Sequence, residues 1–152
     1  MSLIGLPETY RFAVFNQTGI SLNSAQQPGV QGRRVRFDST GTLSYEAAAF
    51  TFFSLGTTTS IAANSYVTGS TWSNTASAWL GGEFFMSAQT VSNASGNVVL
   101  YLEASPDGGT TWPSPASANG AGGGIVVAVI GFGSVANVAS TASTARIAYF
   151  DL

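Results

Sequence analysis

The sequence predicts an all-β domain, a β-sandwich or jelly-roll-like fold of about eight strands. Three observations carry that reading. Apolar and polar residues alternate with a period of two through most of the chain, clusters of Gly, Pro, Asn and Ser punctuate the alternating runs, and no stretch shows convincing helical periodicity.

Tyr10 to Phe15 is the first strand, and Asn16-Gln17-Thr18-Gly19 is a turn whose glycine supplies the positive φ of a hairpin, with Ile20 to Leu22 as the return. After the break at Gln27-Pro28-Gly29, Val30 to Phe37 alternates, placing Arg33, Val35 and Phe37 on one face and Arg34 and Arg36 on the other. Asp38 to Gly41 turns the chain. Leu43 to Phe53 reads as one long strand whose second half, with Phe50, Phe52 and Phe53, is apolar on both faces: a central strand, or in part an interface. Ser54 to Ala78 is rich in Thr, Ser and Asn and carries Ile61, Tyr66, Val67 and Trp72 at wider intervals, as in an edge strand between long loops. Trp79 to Val91 holds Phe84-Phe85-Met86 and a bend or bulge at Gly81-Gly82. Asn97 to Ser105 then sets Val98, Leu100 and Leu102 against one side, with Val99, Tyr101 and Glu103 on the other. A Pro-, Ser-, Ala- and Gly-rich loop over 113–124 precedes Ile125 to Phe132 and the closing strand, Arg146 to Leu152.

The 152 residues fit a single domain over 1–152, with 1–9 a candidate N-terminal arm that has Leu3, Ile4 and Leu6 to bury. Cysteine, histidine and lysine are all absent. That excludes disulfides, the usual transition-metal ligand sets, Cys and His nucleophile pairs, Schiff bases and the phosphate-binding lysine of P-loop enzymes. No cofactor is expected. Charged residues make up 8% of the chain and the net charge is -2, so nucleic acid is not an expected partner. The start lacks a basic leader, and the longest apolar run, Ile125 to Ala139, is broken by glycines and falls short of a membrane span, so the expectation is a soluble protein. A surface so poor in charge has little colloidal repulsion and suits a molecule covered in part by neighbours.

Ser105-Pro106-Asp107-Gly108-Gly109-Thr110-Thr111-Trp112 matches the Asp-box pattern found in sialidases and related repeat proteins. Ser105, Asp107, Gly109, Thr111 and Trp112 imply a tight hairpin turn, in which the aspartate accepts backbone amides and the tryptophan folds back. One copy in a chain this short implies structure and not sialidase chemistry. Ile125 to Ile130 running into Gly131-Phe132-Gly133-Ser134-Val135-Ala136 imitates a dinucleotide fingerprint, with Asp151 about 20 residues on. The βαβ context that this fingerprint needs is missing, and Ser134 to Ala145 is a poor helix former. The carboxylates are scattered, so a glycosidase pair would have to be assembled in space. Arg34 and Arg36, neighbours on one face, read as a salt-bridged strand face reaching Asp38 or Glu46, with docking of an acidic partner as the minority reading.

Leu6-Pro7-Glu8 through Tyr10-Arg11-Phe12-Ala13-Val14-Phe15-Asn16-Gln17-Thr18-Gly19, the sparse charge, and Leu100-Tyr101-Leu102-Glu103 entering the Asp-box segment resemble small β-rich structural proteins of tailed-phage virions. The resemblance implies a head decoration protein or a tail or fibre component, located in the virion, assembled with copies of itself as a homo-oligomer such as a trimer and with other virion proteins. It implies no catalytic residues. Candidate interface residues are Arg34, Arg36, Phe50, Phe52, Phe53, Phe84 and Phe85. The alternative is a carbohydrate- or receptor-binding sandwich, with Trp72, Trp79, Trp112 or Tyr66 stacking on sugar faces.

Overall fold

The computed structural model describes residues 6–22, 28–54, 60–76, 78–89, 95–113, 124–131 and, as backbone, 145–151. Among them there is no helix, and so none long and apolar enough to cross a membrane. Ten strands form two antiparallel sheets packed face to face: β1 (Thr9–Gln17), β2 (Gly29–Phe37), β3 (Leu43–Tyr45), β4 (Phe50–Ser54), β5 (Ser65–Thr68), β6 (Trp72–Ser73), β7 (Gly81–Gln89), β8 (Asn97–Ala104), β9 (Ile125–Gly131) and β10 (Ala145–Asp151). The first sheet runs β5-β1-β8-β9, with β6 also on β1; the second runs β10-β7-β2-β3, with β4 also on β2.

Alternation fills the space between the sheets. Tyr10, Phe12 and Val14 of β1 and Val98, Leu100 and Leu102 of β8 face Val30 of β2 and Phe84, Met86 and Ala88 of β7, all buried. At the centre the rings of Phe12, Phe52 and Phe84 meet edge to face, with centroids 5.2–5.9 Å apart. The Phe84 ring lies across two glycines: a Cβ at Gly32 would stand 2.6 Å from its Cδ1, and one at Gly82 2.7 Å from its Cζ. Gly81-Gly82 is therefore not a bend. Gly81 and Gly82 pair in register with Val35 and Arg34, and the small residue at 82 makes room for the ring.

Three further expectations change. The turn after β1 exists, with Gly19 at φ +78°, but Ile20 to Leu22 does not return along β1. The two places beside that strand are taken by β8 and by β5 with β6, and Leu22 bridges Ile61 instead. The buried Asn16 side chain fixes this corner, donating to the carbonyls of Ile20 (2.7 Å) and Ile61 (3.0 Å) and accepting from the Thr18 amide (3.0 Å). Leu6 is not part of a free arm: it is buried, and its amide donates to the Leu80 carbonyl. Residues 1–5 lie outside the described residues.

The stretch Leu43 to Phe53 is two short strands, both paired to β2. A register shift at Val30/Gln31 sets Val30 opposite Phe53 and Gln31 opposite Thr51, leaving Phe52 as the extra residue of a bulge. Consecutive phenylalanines at 52 and 53 can thus both enter the core, at 1% and 3% exposure.

Candidate functional site

The most developed polar arrangement lies at the end of the sandwich where β1 begins and β2 finishes. Arg34 leaves the inner face of β2, and its guanidinium sits 5.1 Å from the Trp79 ring and 5.6 Å from the rings of Phe52 and Trp72. Glu46 neutralises it: Arg34 Nε donates to Oε1 at 2.9 Å and Nη2 donates to the same oxygen. The Arg34 amide donates to Oε2 at 2.9 Å, and the Glu46 amide returns a bond to the Arg34 carbonyl. Burial works most strongly against the arginine's charge, but Glu46 and the Tyr10 hydroxyl together outweigh it and hold the guanidinium above its usual value. The buried Tyr10 hydroxyl lies close enough to Arg34 to feel its charge without closing a hydrogen bond of normal geometry. Burial raises its pKa, and Arg34 offsets that in part.

Arg36 lies 4.8 Å above the same Trp79 ring. That ring is positioned by Asn74, which donates to the Trp79 carbonyl (2.8 Å) and the Leu6 carbonyl (3.1 Å) and accepts from the Trp79 amide (2.6 Å). Ala78, just before it, takes a positive φ of 46°, uncommon without a glycine. Nothing in the local sequence distinguishes Asn74 from the other Ser, Thr and Asn residues around it.

A second ion pair crosses the outer face of the first sheet. Arg11 Nε donates to Glu103 Oε2 at 2.6 Å, and the Tyr66 hydroxyl donates to Oε1 of the same fully buried carboxylate. Burial, then the hydrogen bond to Glu103 and its charge, push the Tyr66 pKa up. Trp112 caps Arg11 at 4.1 Å and so ties the 105–112 segment to this pair.

That segment is a turn held by its own side chains. Asp107 Oδ1 accepts from the amides of Thr110 (3.1 Å) and Thr111 (2.6 Å) and from the Ser105 hydroxyl (2.8 Å). The Gly109 amide donates to Ser105 Oγ, and Trp112 Nε1 donates to the Gly109 carbonyl. The Thr111 hydroxyl and then its amide pull Asp107 down to about 2. The turn opens the longer connection from β8 to β9 instead of forming a tight hairpin by itself, because β8 finds its partner only from Ile125 onward. β9 runs antiparallel to β8, so Gly131 ends no parallel βα unit; residues 132–144 lie outside the described residues.

The residues singled out for an interface separate into two groups. Phe52, Phe53 and Phe84 are core residues, which corrects their assignment as interface: the bulge and the glycines at 32 and 82 accommodate them inside. Phe50 is 42% exposed, Arg36 is exposed and Phe85 is half-buried on the outer face of β7. Other exposed large apolar residues that the sequence did not single out are Phe37, Leu43, Tyr45 and Leu80 around the second sheet and Ile125, Val126 and Val129 on β9. Phe37 and Leu43 pair across β2 and β3, as do Val35 and Tyr45. The Tyr45 hydroxyl donates to Glu83 at 3.2 Å, and Arg33 lies 5.6 Å from its ring. Alternation could have found Leu43 and Tyr45, since both flank Ser44 on a strand that follows a tight Asp38 turn.

No family model, curated protein or solved structure matches the chain.

Among the described residues, no three carboxylates gather as a metal would need. The hollow between Pro7, Leu102, Ala104, Pro113 and Ile125, about 130 Å³, is smaller than the roughly 300 Å³ at which ligand pockets begin.

Proposed function

We propose that the protein is a non-enzymatic structural protein of a tailed-phage virion, a head decoration protein or a tail or fibre component. It works by protein–protein assembly with copies of itself and with other virion proteins. The observation that carries this reading is the number of large apolar side chains left exposed, Phe37, Leu43, Tyr45, Phe50 and Leu80 around the second sheet and Ile125, Val126 and Val129 on β9, in a sandwich whose buried charges are paired internally. Glu46 and Glu103 are each held by an arginine, and Asp38 and Asp107 are committed to turn amides. This leaves little carboxylate chemistry for a glycosidase.

The sugar-binding alternative has less support. Each tryptophan carries an arginine on a ring face: Arg34 on Trp72, Arg34 and Arg36 on Trp79, Arg11 on Trp112. An antibody raised against the purified chain should label phage particles at a fixed place on head or tail. Absence of labelling, together with saturable binding on a glycan array, would replace this reading with the alternative.

A further inference from the structure

The ion pair on the outer face of the first sheet joins more than its own two residues. Glu103 is fully buried, and each of its oxygens has a donor: Arg11 Nε on Oε2 and the Tyr66 hydroxyl on Oε1. Gly124, the last residue before β9, lies so close that a Cβ there would stand 3.0 Å from Glu103 Cγ and 2.9 Å from the Leu102 carbonyl oxygen. Arg11 keeps 16% of its side chain exposed, and its guanidinium lies 4.1 Å from the Trp112 ring. Trp112 donates to the Gly109 carbonyl, and Gly109 itself sits against the methyl groups of Thr71 and Thr9. The turn over 105–112 therefore rests on the sheet through a guanidinium that one buried carboxylate holds in place.

The charge of Glu103 decides whether that seat is kept. Among the described residues Arg11 is its ion-pair partner, and residues 113–124 contain no charge that could replace either member. The other titratable groups at this end are Tyr101, two positions back on the same face of β8, Asp107 in the turn, and Glu8, exposed just before β1. Removing one member of a buried pair leaves the other charge uncompensated, and a partly exposed arginine relieves this by turning its head into water. We infer that the pair is a charge-dependent clasp: with Glu103 ionised the turn is docked on the first sheet, and with Glu103 neutral Arg11 leaves, Trp112 loses its platform and the turn releases. The sandwich stays folded through this step, because Arg11 and Trp112 stand outside the aromatic core that joins the two sheets. A proton is what neutralises Glu103, so acid opens the clasp. The inference is independent of the assembly reading.

The full chain is tested with 5-fluorotryptophan, so that Trp72, Trp79 and Trp112 report separately by fluorine NMR, with far-ultraviolet circular dichroism to follow the fold. On acidification the Trp112 resonance should shift first, while those of Trp72 and Trp79, which pack against the core, stay in place. Glu103→Gln should put the Trp112 resonance at its acid position already at neutral pH and remove the acid shift. Asp107→Asn removes the carboxylate inside the turn but leaves Glu103, and it should keep the acid shift. Three resonances that move together with the dichroism at every pH, or a folded Glu103→Gln protein whose Trp112 resonance stays at the wild-type position, would overturn the inference. If Glu103→Gln does not fold, the wild-type titration decides between these outcomes by itself.

Discussion

β8 and the second half of the Leu43–Phe53 stretch look alike in sequence, each apolar on both faces, yet the fold treats them differently. In β8 six consecutive residues, Val98 to Glu103, are buried. One face fills the core, and the other joins Ala13, Phe15 and Tyr66 in a second cluster, with Glu103 neutralised by Arg11. In Leu43–Phe53 only Glu46, Phe52 and Phe53 are buried, and the remainder is left at the margin. A doubly apolar strand is therefore not in itself an interface. The central position of β8 between β1 and β9 gives it internal neighbours, whereas the edge position of β3 and β4 removes them.

The comparison breaks most visibly at neighbouring phenylalanines. Phe52→Ala should cost about 3–5 kcal/mol in chemical denaturation, because it empties the centre of the aromatic cluster. Phe50→Ala should stay within about 1 kcal/mol for the isolated molecule. Similar losses at both positions would mean that the bulge does not divide them.

The arginine at the head of this margin sharpens the same contrast. Arg34→Met leaves the buried Glu46 carboxylate without its partner and should destabilise by about 3–5 kcal/mol, with much of the loss recovered in the double variant Arg34→Met, Glu46→Gln. If the double variant is as unstable as the single one, the packing of the guanidinium on Trp72 and Trp79 matters more than the charge pairing.

A smaller effect is expected from Asp107, on an exposed turn. Its folded-state pKa, about 2, lies below the ordinary aspartate value of about 3.9. Its stabilising effect is therefore complete above about pH 4 and is lost as pH falls through about 2. Asp107→Asn should lower the Tm by a few degrees at neutral pH and should remove part of the fall in Tm between those two pH values. An unchanged acid profile would show that the turn is held by its glycines and by Trp112.

How much of this was legible follows from how local each cause is. The alternation of Val98, Leu100 and Leu102 is written in neighbouring residues, and so is the turn in which Asp107 reaches amides only three and four positions away. The pairing of Arg34 with Glu46 was within reach because Glu46 directly follows β3, which one tight turn joins to the β2 strand of Arg34. The bulge at Phe52 was not, because it depends on the register of β2, some twenty residues earlier in the chain. Asn74 and the Leu22–Ile61 bridge were hidden for the same reason: their partners are set by the fold and not by sequence neighbours. At the candidate site, the sequence pointed to Phe50 and Arg36 but missed Leu43, Tyr45 and Leu80, whose exposure follows from edge position alone.

The most direct measurement is hydrogen–deuterium exchange of the full chain at low and high protein concentration, comparing amides of Leu43–Thr51 with those of Asn97–Ala104. If the chain assembles with copies of itself through these exposed residues, β8 is protected equally at both concentrations while protection of Leu43–Thr51 rises with concentration, and Phe50→Lys abolishes the rise. Exchange over Leu43–Thr51 that stays the same across the whole range, with β8 protected throughout, would contradict the account.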